Sequence, residues 1–529
     1  VNARLAHQDP DEVAAYKRAG WWGDTTVGDL VARWAREQAD GIAYVVGDER
    51  LAWREYDTRA TALSGTLAAA LPRAARIAVL LPDTAAVHVA FVAAERAGLV
   101  VVGIGHRAGE AEIRHLLGAT GATAVVTLDD DAHRIPLELP LARFTSGRDG
   151  TSADTGDVIA SGDNERRPID ADELFLVNST SGTTGLPKCV MHNQNRWMFF
   201  HQLAADAGAF TPDDVFFNAL PAPFGFGLWT SHVTPAVLGC TTVVQDRFDA
   251  DAALRAIERE RVTVLACVST QFLMMLNSPE LEQRDLTSLR CMFTGGEAVP
   301  GERAARFEQV TGARVLQFYG SNETGALSRT TMRDDRDHRL GTAGQVIPEM
   351  RVRLLDDTGR DITEPGVPGN PVCRGPATCF GYLDDAAAND ALFTDDGWMR
   401  IGDICEIDAD GYLRVVGRTS DIIIRGGKNL SAPAIEAELA PHPSIALAAV
   451  VAMPDPVFGE RVCLYAELHP GATLELDDVV AFLSARGVSR EWFPERLVVL
   501  DALPRASGGK VAKGVLRDDI RRRAEMPGG

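Results

Sequence analysis

The chain of 529 residues has no C-x-x-C pair among its eight cysteines and no H-E-x-x-H among its eleven histidines. Cysteines at 189, 240, 267, 291, 373, 379, 405 and 463 are scattered, which argues against a disulfide framework and against a structural zinc site. Several lie in apolar runs, where a free thiol packs as a small hydrophobe. No apolar run approaches the ~18 residues that a membrane span needs. The opening VNARLAHQDPDEVAAYKRAG is too polar for a signal peptide, so a reducing cytoplasm is the expected compartment. A basic footprint is also missing: the formal net charge is −21, of which residues 421–529 carry only −2. That excludes the usual nucleic-acid binder. The phosphate-loop pattern G-x-x-x-x-G-K-S/T is absent, and the glycines of 103–109 (G-I-G-H-R-A-G) miss the dinucleotide spacing G-x-G-x-x-G.

What is present is an ordinary globular composition, 46% hydrophobic and 24% charged. The length exceeds what one hydrophobic core supports and predicts at least two domains. RIAVLL (76–81), a helix over 86–98 and LVVVGIG (99–105) have βαβ rhythm, hence a mostly parallel sheet covered by helices. A second α/β set is expected from FLVN (175–178), helical material to about 209, TTVVQ (241–245) and VTVLACV (262–268). Beyond 340, short alternating runs split by D-x-G and P-G turns predict hairpins. After Asp421, IIIRGGKNLS, a helix near 433–440, AAVVAM, CLYAEL and a last helix predict a small α+β domain. The expected division is therefore 1–420 and 421–529.

The sharpest local feature is N-S-T-S-G-T-T-G-L-P-K at 178–188, directly after an apolar strand. Its glycines admit close backbone approach to an anion, its hydroxyls and N–H groups donate to phosphate oxygens, and Lys188 supplies charge. This loop resembles the phosphate loop of the adenylate-forming superfamily, which includes acyl-CoA synthetases, peptide-synthetase adenylation domains and firefly-type luciferases. F-Y-G-S-N-E-T-G (318–325), G-W-M-R-I-G-D (397–403), G-R-T-S-D (417–421) and L-P-R-A-S-G-G-K (503–510) resemble the other family motifs, in order. The resemblance covers nearly the whole chain. It implies a large α/β domain of two doubly wound subdomains plus a distorted β-barrel, followed by a small mobile α+β domain.

The family activates a carboxylic acid with ATP as an acyl-adenylate, then passes the acyl group to a thiol. By resemblance, Thr180, Ser181, Gly182, Thr183, Thr184 and Lys188 hold the β and γ phosphates. Glu323 holds Mg²⁺, which suits a hard carboxylate oxygen. Tyr319 stacks on adenine, with Gly295, Gly296 and Glu297 on its other side. Asp403 accepts the ribose hydroxyls with Arg418 nearby, and Asn322 hydrogen-bonds the α-phosphate in place of the more usual Thr or Ser. Lys510 bridges the acyl carboxylate and the α-phosphate, where charge develops. Asp421 is the implied hinge, and Gly426, Gly427 and Lys428 the loop presented to the thiol. Cys189 follows Lys188 where Gly is common, and packing is its expected role.

P-A-P-F-G-F-G-L-W (221–229) resembles the block that lines the acyl channel. Phe224 stands near the place of the aspartate that pairs with an α-amino group in peptide-synthetase domains, and the sequence shows no acid close by. An unpaired ammonium against such a wall is costly, so the expected acid is not an α-amino acid. Phe224, Phe226 and Trp229 suggest an apolar acid, with Trp229 equally readable as core, and Gly225 and Gly227 suggest room for a bulky aryl, alicyclic or terpenoid-type one. Coenzyme A is the expected acceptor because no carrier domain follows, with the phosphopantetheine arm of a separate carrier protein as the alternative. A non-catalytic nucleotide-binding protein on the same fold is the reading from another class. The joint presence of Lys510, Glu323 and Asp403 argues against it.

Overall fold

Strands that read as continuous apolar runs need cover on both faces, and two large sheets of the chain meet that need. The computed structural model describes residues 9–136, 138–153, 168–180, 187–296, 299, 301–418, 421–425, 428–505 and 511–525. One sheet has seven strands in the order Ser152–Ala153, Ala142–Ser146, Ala124–Leu128, Arg76–Leu80, Val100–Gly103, Leu176–Ser179, Cys189–His192. Its inner pairs are parallel and its two outermost pairs antiparallel. The helix Ala85–Arg96 crosses between two of these strands; Thr84 caps its start, and Gly98, at φ +75°, turns the chain after it.

The second sheet has nine strands: Gln345–Val346, Gly325–Arg329, Arg314–Ser321, Cys291–Gly295, Val264–Ala266, Val215–Asn218, Thr241–Val244, Ile42–Val46 and Glu49–Ala52. It departs from the sequence reading in two places. Leu176–Ser179 belongs to the first sheet, paired with Val100–Gly103, not to the second α/β set. Residues 189–192, expected as helix, form a strand that doubles back on Leu176–Ser179 before the helix Gln194–Gly208 begins. Which sheet a strand joins is decided by pairing across more than seventy positions of sequence, to which periodicity is blind.

The expected barrel is represented by small antiparallel sheets, Arg353–Leu355 with Asn370–Cys373 and Met399–Arg400, and Asp403–Ile407 with Leu413–Arg418, joined by a bridge between Gly369 and Cys405. Beyond 421, the long hairpin Ile445–Asp455/Gly459–Leu468 is flanked by Ile422–Arg425 and by Arg496–Leu500. Its side chains alternate strictly. Val450, Val462, Leu464 and Ala466 pack on Ile435, Leu439 and Val479, while Ala449, Val451, Cys463 and Tyr465 pack on Leu516 and Ile520. This unit touches the larger one where Arg303 donates to the Ala440 carbonyl at 3.2 Å. All eight cysteines are buried and none forms a disulfide. Among the described residues no helix is long and apolar enough to cross a membrane.

Candidate active site

The loop after Leu176–Ser179 is closed at its base, where the Thr180 amide donates to the Lys188 carbonyl at 3.1 Å. Ser181, Gly182, Thr183 and Thr184 lie outside the described residues, as do Glu297, Gly426, Gly427 and Lys510. Lys188 is exposed, and its ammonium sits 4.9 Å from the ring centre of Tyr382. The Tyr382 hydroxyl donates to Glu323 Oε1 at 2.7 Å. Burial, with Glu323 beside it, raises its pKa, so it remains a donor. One tyrosine thus joins the loop lysine to the carboxylate, and sequence reasoning missed it. The only signal was a C-F-G-Y run ending a hairpin region.

Glu323 is carried by the turn between Arg314–Ser321 and Gly325–Arg329, whose shape Ser321 and Thr324 fix: Ser321 Oγ accepts from the Glu323 and Thr324 amides at 3.2 and 3.1 Å. With Oε1 engaged by Tyr382, the other carboxylate oxygen is the one suited to a cation. Among the described residues no group of three His, Cys, Asp or Glu could hold a metal. A lone carboxylate fits Mg²⁺, which takes one or two carboxylates and completes its shell with phosphate oxygens and water.

Asp403 is 3% exposed and accepts from the Tyr319 hydroxyl at 2.7 Å. Burial holds the Tyr319 pKa well above the phenol range, so the direction of that bond is set. The Tyr319 ring is half-buried against Leu354, Cys405 and Leu413. Arg418 lies opposite Asp403 in the antiparallel register. Gly295 ends the neighbouring strand where a Cβ would come within 2.6 Å of the Phe318 carbonyl oxygen, so only glycine lets these strands approach; Gly296 follows at φ +80°. Tyr319, Gly295 and the start of the Glu323 turn therefore lie at the ends of adjacent strands of the nine-stranded sheet, with Asp403 of the small Asp403–Ile407/Leu413–Arg418 sheet against Tyr319.

Asn322 does not stand alone. Its Nδ2 donates to Asn178 Oδ1 at 2.7 Å, and Asn178 Nδ2 donates to Asn322 Oδ1 at 3.3 Å and to the Pro223 carbonyl at 2.9 Å. Pro223 is the third residue of the acyl segment. After it Phe224, Gly225 and Phe226 are half-buried and the chain winds through a π-helical turn, Leu228–Val233, of a kind often found at functional sites. Trp229 is 1% exposed and lies among Phe200, Phe226, Phe293 and Phe318, with ring centres 5.3–5.8 Å away. It is core.

Two readings of this segment are corrected. The glycines do not leave open room. A Cβ on Gly227 would meet the Pro221 carbonyl oxygen at 2.2 Å, and one on Gly225 would meet the Trp197 ring at 2.9 Å and Asn322 Oδ1 at 3.0 Å. That space is filled by protein, because the segment folds back on itself and on the Gln194–Gly208 helix. Gly227→Ala is accordingly expected to lower stability by about 1–3 kcal/mol through overpacking, read by urea denaturation. An acid is also near after all: Asp83 accepts from the Ala222 amide at 2.7 Å, and burial pushes its pKa up to about 7. Its distance along the chain from 222 hid it.

Asp421 is held by the last helix, Lys513–Glu525. Lys513 Nζ lies 3.4 Å from its Oδ2, and Arg517 forms a closer ion pair. Lys513 also pairs with Glu436 at 2.7 Å. Lys428 lies opposite Arg425 in the antiparallel register, and Arg505 bridges Val511 on either side of the segment that carries Lys510.

Residues 31–383 match the family model of AMP-binding enzymes, and residues 434–510 that of the AMP-binding enzyme C-terminal domain. The medium-chain fatty-acid–CoA ligase of Escherichia coli (strain K12) is 34% identical over 532 residues, covering 96% of this chain and 93% of that protein. The 2,3-dihydroxybenzoate-AMP ligase of Bacillus subtilis (strain 168) is 30% identical over 531 residues, covering 97% of each. The crystal structure of ATP-bound MatB from Rhodopseudomonas palustris matches with a TM-score of 0.83 at 26% identity, over 94% of this chain and 100% of that one.

Proposed function

Since the chain belongs to the AMP-binding enzymes, and so to the adenylate-forming superfamily of acyl-CoA synthetase type, we propose that it ligates an apolar, cyclic carboxylic acid to coenzyme A. It is an ATP-dependent acid–thiol ligase; the acid class and the acceptor are the proposal. In the first step a carboxylate oxygen attacks the α-phosphorus, the bond to pyrophosphate breaks, and acyl-AMP forms. In the second, the thiol sulfur attacks the acyl carbon, AMP leaves with the shared oxygen, and the thiol proton goes to solvent.

The observation that carries the reading is the Lys188–Tyr382–Glu323 chain, which joins the cation that closes the Ser/Thr/Gly segment to a carboxylate. Lys188 would steady the departing pyrophosphate, and Asp403, oriented by Tyr319, would hold the ribose. Mg²⁺ held by Glu323 would supply charge neutralisation for two anions that must meet. Lys510 would supply positive charge at the α-phosphate. Support for an apolar acid comes from half-buried Phe224 and Phe226, and for a cyclic one from relatives named for 2,3-dihydroxybenzoate and for 2-hydroxy-7-methoxy-5-methyl-1-naphthoate. Asp83 does not alter this, because a buried carboxyl with a pKa of about 7, already bonded to Ala222, is a poor partner for an ammonium. A relative from Mycobacterium tuberculosis (strain ATCC 25618 / H37Rv), named salicyl-AMP ligase / salicyl-S-ArCP synthetase and 30% identical over 95% of this chain, favours a second acceptor, a carrier protein.

ATP–pyrophosphate exchange with cyclohexanecarboxylate, 2,3-dihydroxybenzoate, octanoate and phenylalanine tests the acid. Exchange with a cyclic acid is expected to exceed that with octanoate by about tenfold or more, within what pocket fit can supply. None is expected with phenylalanine; phenylalanine-driven exchange would overturn the assignment. Adding coenzyme A or a phosphopantetheinylated carrier then shows which thiol takes the acyl group.

A further inference from the structure

A run of polar residues, H-N-Q-N-R at 192–196, is wholly buried, with Arg196 only 2% exposed. Buried charge is retained where it does something that an apolar side chain could not. Arg196 makes no carboxylate ion pair among the described residues. Its Nε donates to the Ala377 carbonyl at 2.8 Å, its Nη2 to the Glu323 carbonyl at 3.3 Å, and its Nη1 reaches His192 Nδ1 at 2.5 Å.

A guanidinium only donates, so His192 Nδ1 must accept and its proton must sit on Nε2. Burial, with the charge of Arg196 beside it, keeps this histidine neutral, which fits that tautomer. Nε2 then donates to Asn178 Oδ1 at 2.7 Å, the same oxygen that receives Asn322 Nδ2. Every direction in the chain Arg196, His192, Asn178, Asn322 follows from the first cation. Asn178 adds its bond to Pro223, so the same chain reaches the acyl segment.

We infer that His192, oriented by Arg196 and acting through Asn178, is a positioning residue that sets the Asn322 carboxamide where the phosphate loop, the Glu323 turn and the acyl segment meet. The inference rests on the adenylation reading for its purpose, but its geometry can be tested without an acid. It also gives Asn322 a role suited to this chain: an amide, and not a hydroxyl, can form the reciprocal pair with Asn178.

The test is a double-mutant cycle on Mg-ATP affinity, measured by calorimetry, with thermal denaturation to confirm folding. His192→Leu should weaken ATP about tenfold, whereas His192→Gln, which keeps a donor near the Nε2 position, should stay within about threefold of the parent. In an Asn322→Thr background, His192→Leu should add no more than about a twofold change. Equal weakening in both backgrounds, or equal loss in the Leu and Gln variants, overturns the relay. Should His192→Leu not fold, Asn178→Ser takes its place in the same cycle. Pyrophosphate exchange in the parent separates the two claims: its absence with every acid defeats the adenylation reading, while the ATP cycle still decides the relay.

Discussion

Lys510→Ala is expected to cut acid-dependent pyrophosphate exchange by about 10²–10³-fold, the scale on which one charge aimed at a developing oxyanion usually acts. The same variant, given chemically prepared acyl-AMP and coenzyme A, should form thioester at close to the parent rate. The split follows from the two steps. Adenylation brings two anions together and needs a cation between them, whereas thiolysis begins from a neutral mixed anhydride carbon and expels AMP. ATP affinity should change much less than turnover, because the interaction is strongest only as charge builds. Equal loss in both half-reactions would place Lys510 among residues that hold the fold or the nucleotide. Stopped assays on each half-reaction separately are the measurement.

Asp403→Asn is the second large effect expected, a loss of ATP affinity on the order of 10²-fold by calorimetry, since hydrogen bonds to a charged group exceed neutral ones. The carboxylate already accepts from the Tyr319 hydroxyl, and that hydroxyl stays a donor because its pKa is raised by burial. An amide offers a single acceptor oxygen and no charge, so either the Tyr319 contact or the ribose contact must be remade through its NH₂ as a weaker neutral bond. Tyr319→Phe removes only the orienting bond and should weaken ATP by less than about tenfold. If Tyr319→Phe matched Asp403→Asn, the tyrosine itself, through its ring, would be the principal nucleotide contact.

The ordered motifs were legible because each is local: a few consecutive residues whose backbone freedom, hydroxyls and charge specify a loop or a turn wherever it is placed. The apolar runs AAVVAM and CLYAEL after Asp421 were legible as strands for the same reason, and both of their faces are buried. What local pattern does not contain is who lies across from whom. Tyr382 meets Glu323 from 59 positions away, Asp83 meets Ala222 from 139, and Asn178 meets Asn322 from 144. Burial behaved likewise. Trp229 reads equally as pocket or core until Phe200, Phe293 and Phe318 are seen around it, and Gly227 reads as open space until the Pro221 carbonyl is seen filling it.

The amino-acid sequence by itself determined the family, the two-part α/β and α+β architecture and the class of chemistry, because these rest on residue types at short fixed spacings. Tertiary structure alone decided which sheet Leu176–Ser179 joins, which carboxylate oxygen of Glu323 is already engaged, and that one buried guanidinium orders the hydrogen bonds behind Asn322. Those are properties of contact between distant segments, and hydrogen-bond direction in particular exists only once donor and acceptor have been brought within reach.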